Sequence, residues 1–80
     1  MSMKLQGKKV VGVKQTAKII KQGNAKIVYI AEDAEDRVTK PVEELCKQNN
    51  IEMIHVKTMK ELGSLCGIDI GAATAALIRE

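Results

Sequence analysis

The run "IVYIA", Ile27 to Ala31, is the longest strictly apolar stretch in the chain and the feature that most constrains its fold. It is far shorter than the about 20 apolar residues that cross a membrane as a helix. It is also continuous, where a strand with one wet face would alternate apolar with polar residues. A continuous run of this length suits a strand covered by helices on both faces. The chain must therefore supply helices on either side of it.

The flanking segments do so. "KVVGV", Lys9 to Val13, predicts a short strand ending near Gly12. From about Lys14 to Gln22 the positions Val13, Thr16, Ala17 and Ile20 follow the i, i+3, i+4, i+7 spacing of a helix, which Gly23-Asn24 ends. After the strand at Lys26 to Ile30 comes an acidic turn, "AEDAEDR". Val38, Val42, Leu45 and Cys46 mark the inner face of a second helix, with Pro41 in its first turn and "QNN" breaking it. "IEMIHV", residues 51 to 56, reads as a third strand.

"TMKE", residues 58 to 61, is a capping box. Thr58 accepts from the backbone of Glu61, and the Glu61 side chain reaches back. The helix it opens buries Met59, Leu62 and Cys66 and stops at Gly67. Residues 72 to 79, "AATAALIR", suit helix or strand by composition, and the alternation of elements favours a final strand. No internal repeat or linker interrupts the pattern, and 80 residues sustain one core. The expectation is one α/β domain, residues 1–80, built as a layered sandwich.

Charge is distributed unevenly. Residues 1 to 31 hold seven lysines (4, 8, 9, 14, 18, 21 and 26) and no acid, a net +7. Residues 32 to 80 hold six basic and ten acidic residues, a net −4. The asymmetry suggests an anionic partner for the N-terminal part, although a solvated lysine face accounts for it equally well. The N-terminal residues lack the apolar core of a signal peptide, which points to a cytoplasmic protein with Cys46 and Cys66 as reduced, buried thiols.

Catalysis finds little support. His55 lies in a strand pattern with no serine or cysteine in a recognisable arrangement beside it. Cys46, His55 and Cys66 match no zinc spacing. Glu32, Asp33, Glu35 and Asp36 invite a magnesium reading, but no glycine-rich phosphate loop accompanies them and an acidic surface turn explains them more simply. The residues therefore call for no metal, no cofactor and no enzyme activity.

For nucleic acid, the lone aromatic residue, Tyr29, sits in the buried-looking strand, so no stacking platform for single-stranded bases is available. What remains is the start of the first helix, whose free N–H groups and positive dipole attract phosphate. Lys14, Lys18 and Lys21 line one side of it, and Gln15 stands at i, i+3 to Lys18. Gly12 lets another backbone approach. A lysine to meet acceptors and a glutamine that both donates and accepts can read base edges. Regular A-form RNA hides its major groove from side chains, so the target must be bent or opened there.

"GVKQTAKIIKQG", then "IVYIAEDAED", then "KELGSLCGIDIGAA" resemble, in order and spacing, segments of the kink-turn-binding ribosomal protein superfamily, the L-seven-Ae and L-thirty-e proteins. The resemblance runs from about Val10 to the end. It implies a three-layer α-β-α sandwich around a mixed, about four-stranded sheet. It implies binding to kink-turns, RNA helices bent at a short bulge followed by tandem sheared G·A pairs, in riboswitches or ribosomal RNA. The ribosome then becomes a partner, and the protein acts as a monomer away from membranes.

By position, the resemblance places Lys14 and Gln15 on the guanines of the G·A pairs and Gly12 and Val13 on the backbone-contacting turn. It places Lys18 on a phosphate or guanine and Glu32 near the bound RNA. Ile68, Asp69, Ile70, Gly71 and Ala72 match the loop that packs against a base extruded from the bulge. Archaeal members commonly carry Asn-Glu where this chain has Lys14-Gln15, a pair that looks instead like the bacterial and L-thirty-e branches. Gly71 replaces bulkier residues. Simpler roles stand beside these: Gly12 permits a tight turn, Glu32 and Asp33 cap or solvate a loop, and Ile68 and Ile70 are half-buried core. An adaptor using the acidic "AEDAED" side without RNA is the rival reading on the same fold.

Overall fold

A computed structural model describes Leu5 and residues 7–79. Strands and helices alternate: β1 (Lys9–Val11), α1 (Val13–Lys21), β2 (Ala25–Ala31), α2 (Asp36–Gln48), β3 (Glu52–Val56), α3 (Met59–Leu65) and β4 (Thr74–Ile78). The four strands form one sheet in the order β1-β4-β2-β3. β4 runs antiparallel to both β1 and β2, and β2 and β3 are parallel, so the sheet is mixed.

The continuous run at Ile27–Ala31 is covered on both faces, as expected. On one face Ile20 of α1 and Val42 and Cys46 of α2 close over Val28, Ile30 and Ala76. On the other, Leu62 and Cys66 pack with Tyr29, Ala31, Ala72 and Ala75. The domain is thus a three-layer α-β-α sandwich with two helices on one side of the sheet and one on the other. The final segment is a strand because its small residues, Ala75 and Ala76, let helices approach a central position on both faces.

Three local expectations are corrected. Pro41 lies in the second turn of α2, because the helix already begins at Asp36, ahead of its apolar stripe. Its ring is exposed, and the bond it cannot donate frees a carbonyl toward water. Met59 is 37% exposed, because the first residue of α3 lies at the rim of the sheet. β1 is also shorter than expected, and Val13 already belongs to α1. α2 ends as predicted at the polar run, with Asn50 in the left-handed region at φ 55°.

Candidate nucleic-acid interface

The ends of three strands and the start of the fourth converge at one rim of the sheet. Gly12 donates its N–H to the Thr74 carbonyl at 2.9 Å, Ala31 donates to Ala73 at 2.9 Å, and Glu32 donates to Val56 at 2.7 Å. The β1–α1 junction, the "AED" turn, the start of α3 and the loop before β4 therefore share this rim. Rims of this kind, outside the carboxyl ends of strands, are where α/β sheets commonly place ligands.

The first turn of α1 is shaped by its backbone. Gly12 caps it at φ 104° and ψ 155°, a conformation open essentially to glycine alone, with empty space where a Cβ would stand. The first ladder bond is Thr16 N–H to the Gly12 carbonyl, 2.9 Å. The N–H groups of Val13, Lys14 and Gln15 precede it and have no partner within the helix. Underneath, the Thr74 hydroxyl donates to that of Thr16 at 3.1 Å, with both residues fully buried, which fixes this turn to β4.

The three helix starts differ in kind. α3 has Thr58, whose Oγ1 accepts from the Glu61 N–H at 3.0 Å, Glu61 in its first turn, and Asp33, whose Oδ1 accepts from the Met59 N–H at 2.7 Å. α2 carries Asp36 in its first turn. α1 has no capping side chain and no acid in its first turn, and instead presents Lys14 and Gln15, both exposed. Its positive end is left for an anion from outside.

Lys18 and Lys21 continue from Lys14 along the same side of α1. With Ala17 and Gln22 these lysines line a shallow open groove of about 430 Å³. Lys21 stands in the last turn, roughly 10 Å along the helix axis from Lys14 at 1.5 Å per residue. It therefore belongs to the groove rather than to the rim.

Of the remaining predicted residues, Glu32 is exposed beside the anchored turn. In the loop before β4, Asp69, Ile70 and Gly71 are exposed, Ile70 to 73%. Ile68 is half-buried against the α3-side core, and Ala72 is buried within it. The loop thus points outward at its middle and is rooted at both ends. Gly12, Val13, Lys14, Gln15, Glu32 and the exposed part of this loop come together at the rim, and Lys18 lies one turn beyond.

Sequence reasoning missed what holds the loop. A Cβ on Gly63 would stand 2.0 Å from the Ile70 carbonyl oxygen, so only glycine lets the loop lie on α3 there. The signal was an isolated glycine inside a helical pattern. The cysteines do not meet: Cys46 lies in the core under α1 and α2, Cys66 in the core under α3, and both are free. Burial pushes both thiols above their ordinary range, Cys46 to about 11, which makes them inert at neutral pH. His55 faces Glu43 at 3.9 Å. Among the described residues no helix is long and apolar enough to cross a membrane.

Comparison with known proteins agrees with this architecture. The chain is 52% identical over 69 residues to an RNA-binding protein of Caldanaerobacter subterraneus subsp. tengcongensis, covering 86% of this chain and 84% of the relative. It is 50% identical over 68 residues to an RNA-binding protein of Halalkalibacterium halodurans, covering 85% and 83%. The solved structure of the Giardia lamblia 15.5kD RNA binding protein superposes with a TM-score of 0.84 over 90% of this chain and 61% of that one, at 19% identity, a likeness of fold. Residues 2–80 match the model of the ribosomal protein L7Ae/L30e/S12e/Gadd45 family, to which this chain therefore belongs.

Proposed function

We propose that this protein binds RNA and recognises the kink-turn, stabilising the bent form of a riboswitch or of ribosomal RNA. The observation that carries the reading is the first turn of α1: acid-free, uncapped by any side chain, and headed by exposed Lys14 and Gln15. The other two helices have acids in their first turns. Membership of a ribosomal protein family and close relatives named as RNA-binding proteins support RNA as the ligand.

In this reading the first turn of α1 enters the major groove where the kink opens it. Lys14 donates to guanine acceptors, and Gln15 exchanges donor and acceptor with the edges of the sheared G·A pairs. Gly12 and Val13 bring backbone against the RNA backbone, and Lys18 and Lys21 follow the phosphates along the groove. Glu32 borders the RNA, and the loop of Ile68, Asp69, Ile70, Gly71 and Ala72 receives the extruded base on its apolar outer side. The mechanism is a population shift: these contacts exist only in the kinked RNA, so binding favours that form. The protein acts as a cytoplasmic monomer, by binding rather than catalysis, and the ribosome is one destination.

The test is titration into a kink-turn RNA at physiological salt, beside the same duplex with both G·A pairs replaced by Watson–Crick pairs. Tight binding to the first and weak binding to the second is the expected result. Equal affinity for both would reduce the interface to a basic surface. Binding to neither would leave the family fold without this function and bring the adaptor forward.

A further inference from the structure

The "AED" turn is anchored on both sides of its aspartate. Glu32 donates its N–H to the Val56 carbonyl at 2.7 Å, and Ala34 donates to Ala31 at 3.3 Å while its side chain is buried. Between these anchors Asp33 reaches 26 residues along the chain and accepts the Met59 N–H at 2.7 Å. Met59 in turn accepts the Ala72 N–H on its own carbonyl at 3.0 Å. A single residue thus joins the acidic turn on one side to the root of the loop before β4 on the other.

The loop fits this junction closely. A Cβ on Gly71 would lie 3.1 Å from the Met59 Cβ, and Gly63 admits the Ile70 carbonyl to the surface of α3. α3 has only seven residues and cannot hold its first turn in place by helix propensity alone. Thr58 already caps it locally through the Glu61 N–H. A second acceptor brought from another turn adds position more than it adds capping. Binding loops need their supporting contacts to hold them within about 0.5 Å of the productive geometry.

We propose that Asp33 is a positioning residue for RNA recognition: through the backbone of Met59, its carboxylate sets the 67–72 loop where that loop receives the extruded base. The proposal rests on the kink-turn reading above. The role assigned to Asp33 runs through Met59, to whose N–H its Oδ1 is committed. Asparagine carries the same acceptor in the same place and caps helices about as well as aspartate, so Asp33→Asn is the conservative variant and Asp33→Ala the disruptive one.

The first arm of the test needs no RNA. Amide hydrogen exchange of the free protein should quicken about fivefold at Met59 and Ala72 in Asp33→Ala, the size of a typical lost cap. It should stay near wild type in Asp33→Asn and unchanged in α1 of both. Unchanged exchange at Ala72 in Asp33→Ala overturns the coupling. The second arm compares a kink-turn RNA with the same RNA abasic at the extruded position. Asp33→Ala should bind the intact RNA about fivefold more weakly, lose nothing further on the abasic RNA, and be rescued by Asp33→Asn. Equal loss on both RNAs, or no loss on either, overturns the functional role. A wild-type protein that does not prefer a kink-turn to its Watson–Crick control removes the reading on which that role depends, while the exchange result still decides the coupling.

Discussion

Lys14 and Gln15 are exposed on a helix whose inner stripe is already filled by Thr16 and Ile20, so the fold makes no demand on either side chain. Alanine at each should cost on the order of 1–3 kcal/mol of kink-turn affinity per base-reading residue. The melting temperature should hardly move; a large drop in thermal melts would assign them to support instead of readout. Lys21, two turns on, should behave as a phosphate contact. Lys21→Ala should lower affinity less and make the salt dependence shallower by about one unit of slope, as titrations at several salt concentrations will show. The positions of Lys14, Gln15 and Lys18 were legible because helical periodicity alone sorts exposed from buried. That of Ala72 was not. Its burial depends on Leu62 and Tyr29, which no local pattern places beside it.

At the scale of elements, α3 and the loop resting on it form one unit, and Gly63 is where they meet. Gly63→Ala puts a methyl group into the Ile70 carbonyl, a backbone atom that cannot swing aside as a side chain can. We expect a loss of about 1–3 kcal/mol, the usual cost of overpacking, read as a lower urea midpoint, together with weaker kink-turn binding as the loop shifts. The strands and helices themselves were readable: the continuous apolar run named β2, the 3.6-residue period named α1 and α2, and the capping box named α3. Boundaries were less so. α2 starts ahead of its apolar stripe and carries Pro41 in its second turn, because packing on the sheet outweighs one lost ladder bond on the solvent side.

Across the whole molecule the sheet divides two cores, with one thiol in each. Burial, and then Glu43, push Cys46 up to about 11 from its ordinary 9.0. Burial raises Cys66 against the opposing influence of Lys9, and burial, then Glu52 and Cys66, raise Tyr29. The unfolded chain therefore gives up the Cys46 proton near pH 9.0 while the folded chain keeps it to about 11. This contribution to stability is complete below pH 9.0 and is lost as the pH rises through that window. Urea midpoints taken across that range should fall, and Cys46→Ala should flatten part of the slope. Strand order is the property the sequence concealed, since alternation predicts layers but does not say which strand lies in the middle. The last strand does: β4 sits between β1 and β2. During synthesis the earlier strands emerge with no partner for their facing edges, and the Thr16–Thr74 bond beneath the first turn of α1 must wait for β4. The growing polypeptide acquires this rim only when residues through Ile78 have left the exit tunnel, so a chain stalled short of that point carries the lysines of α1 without the scaffold that aims them.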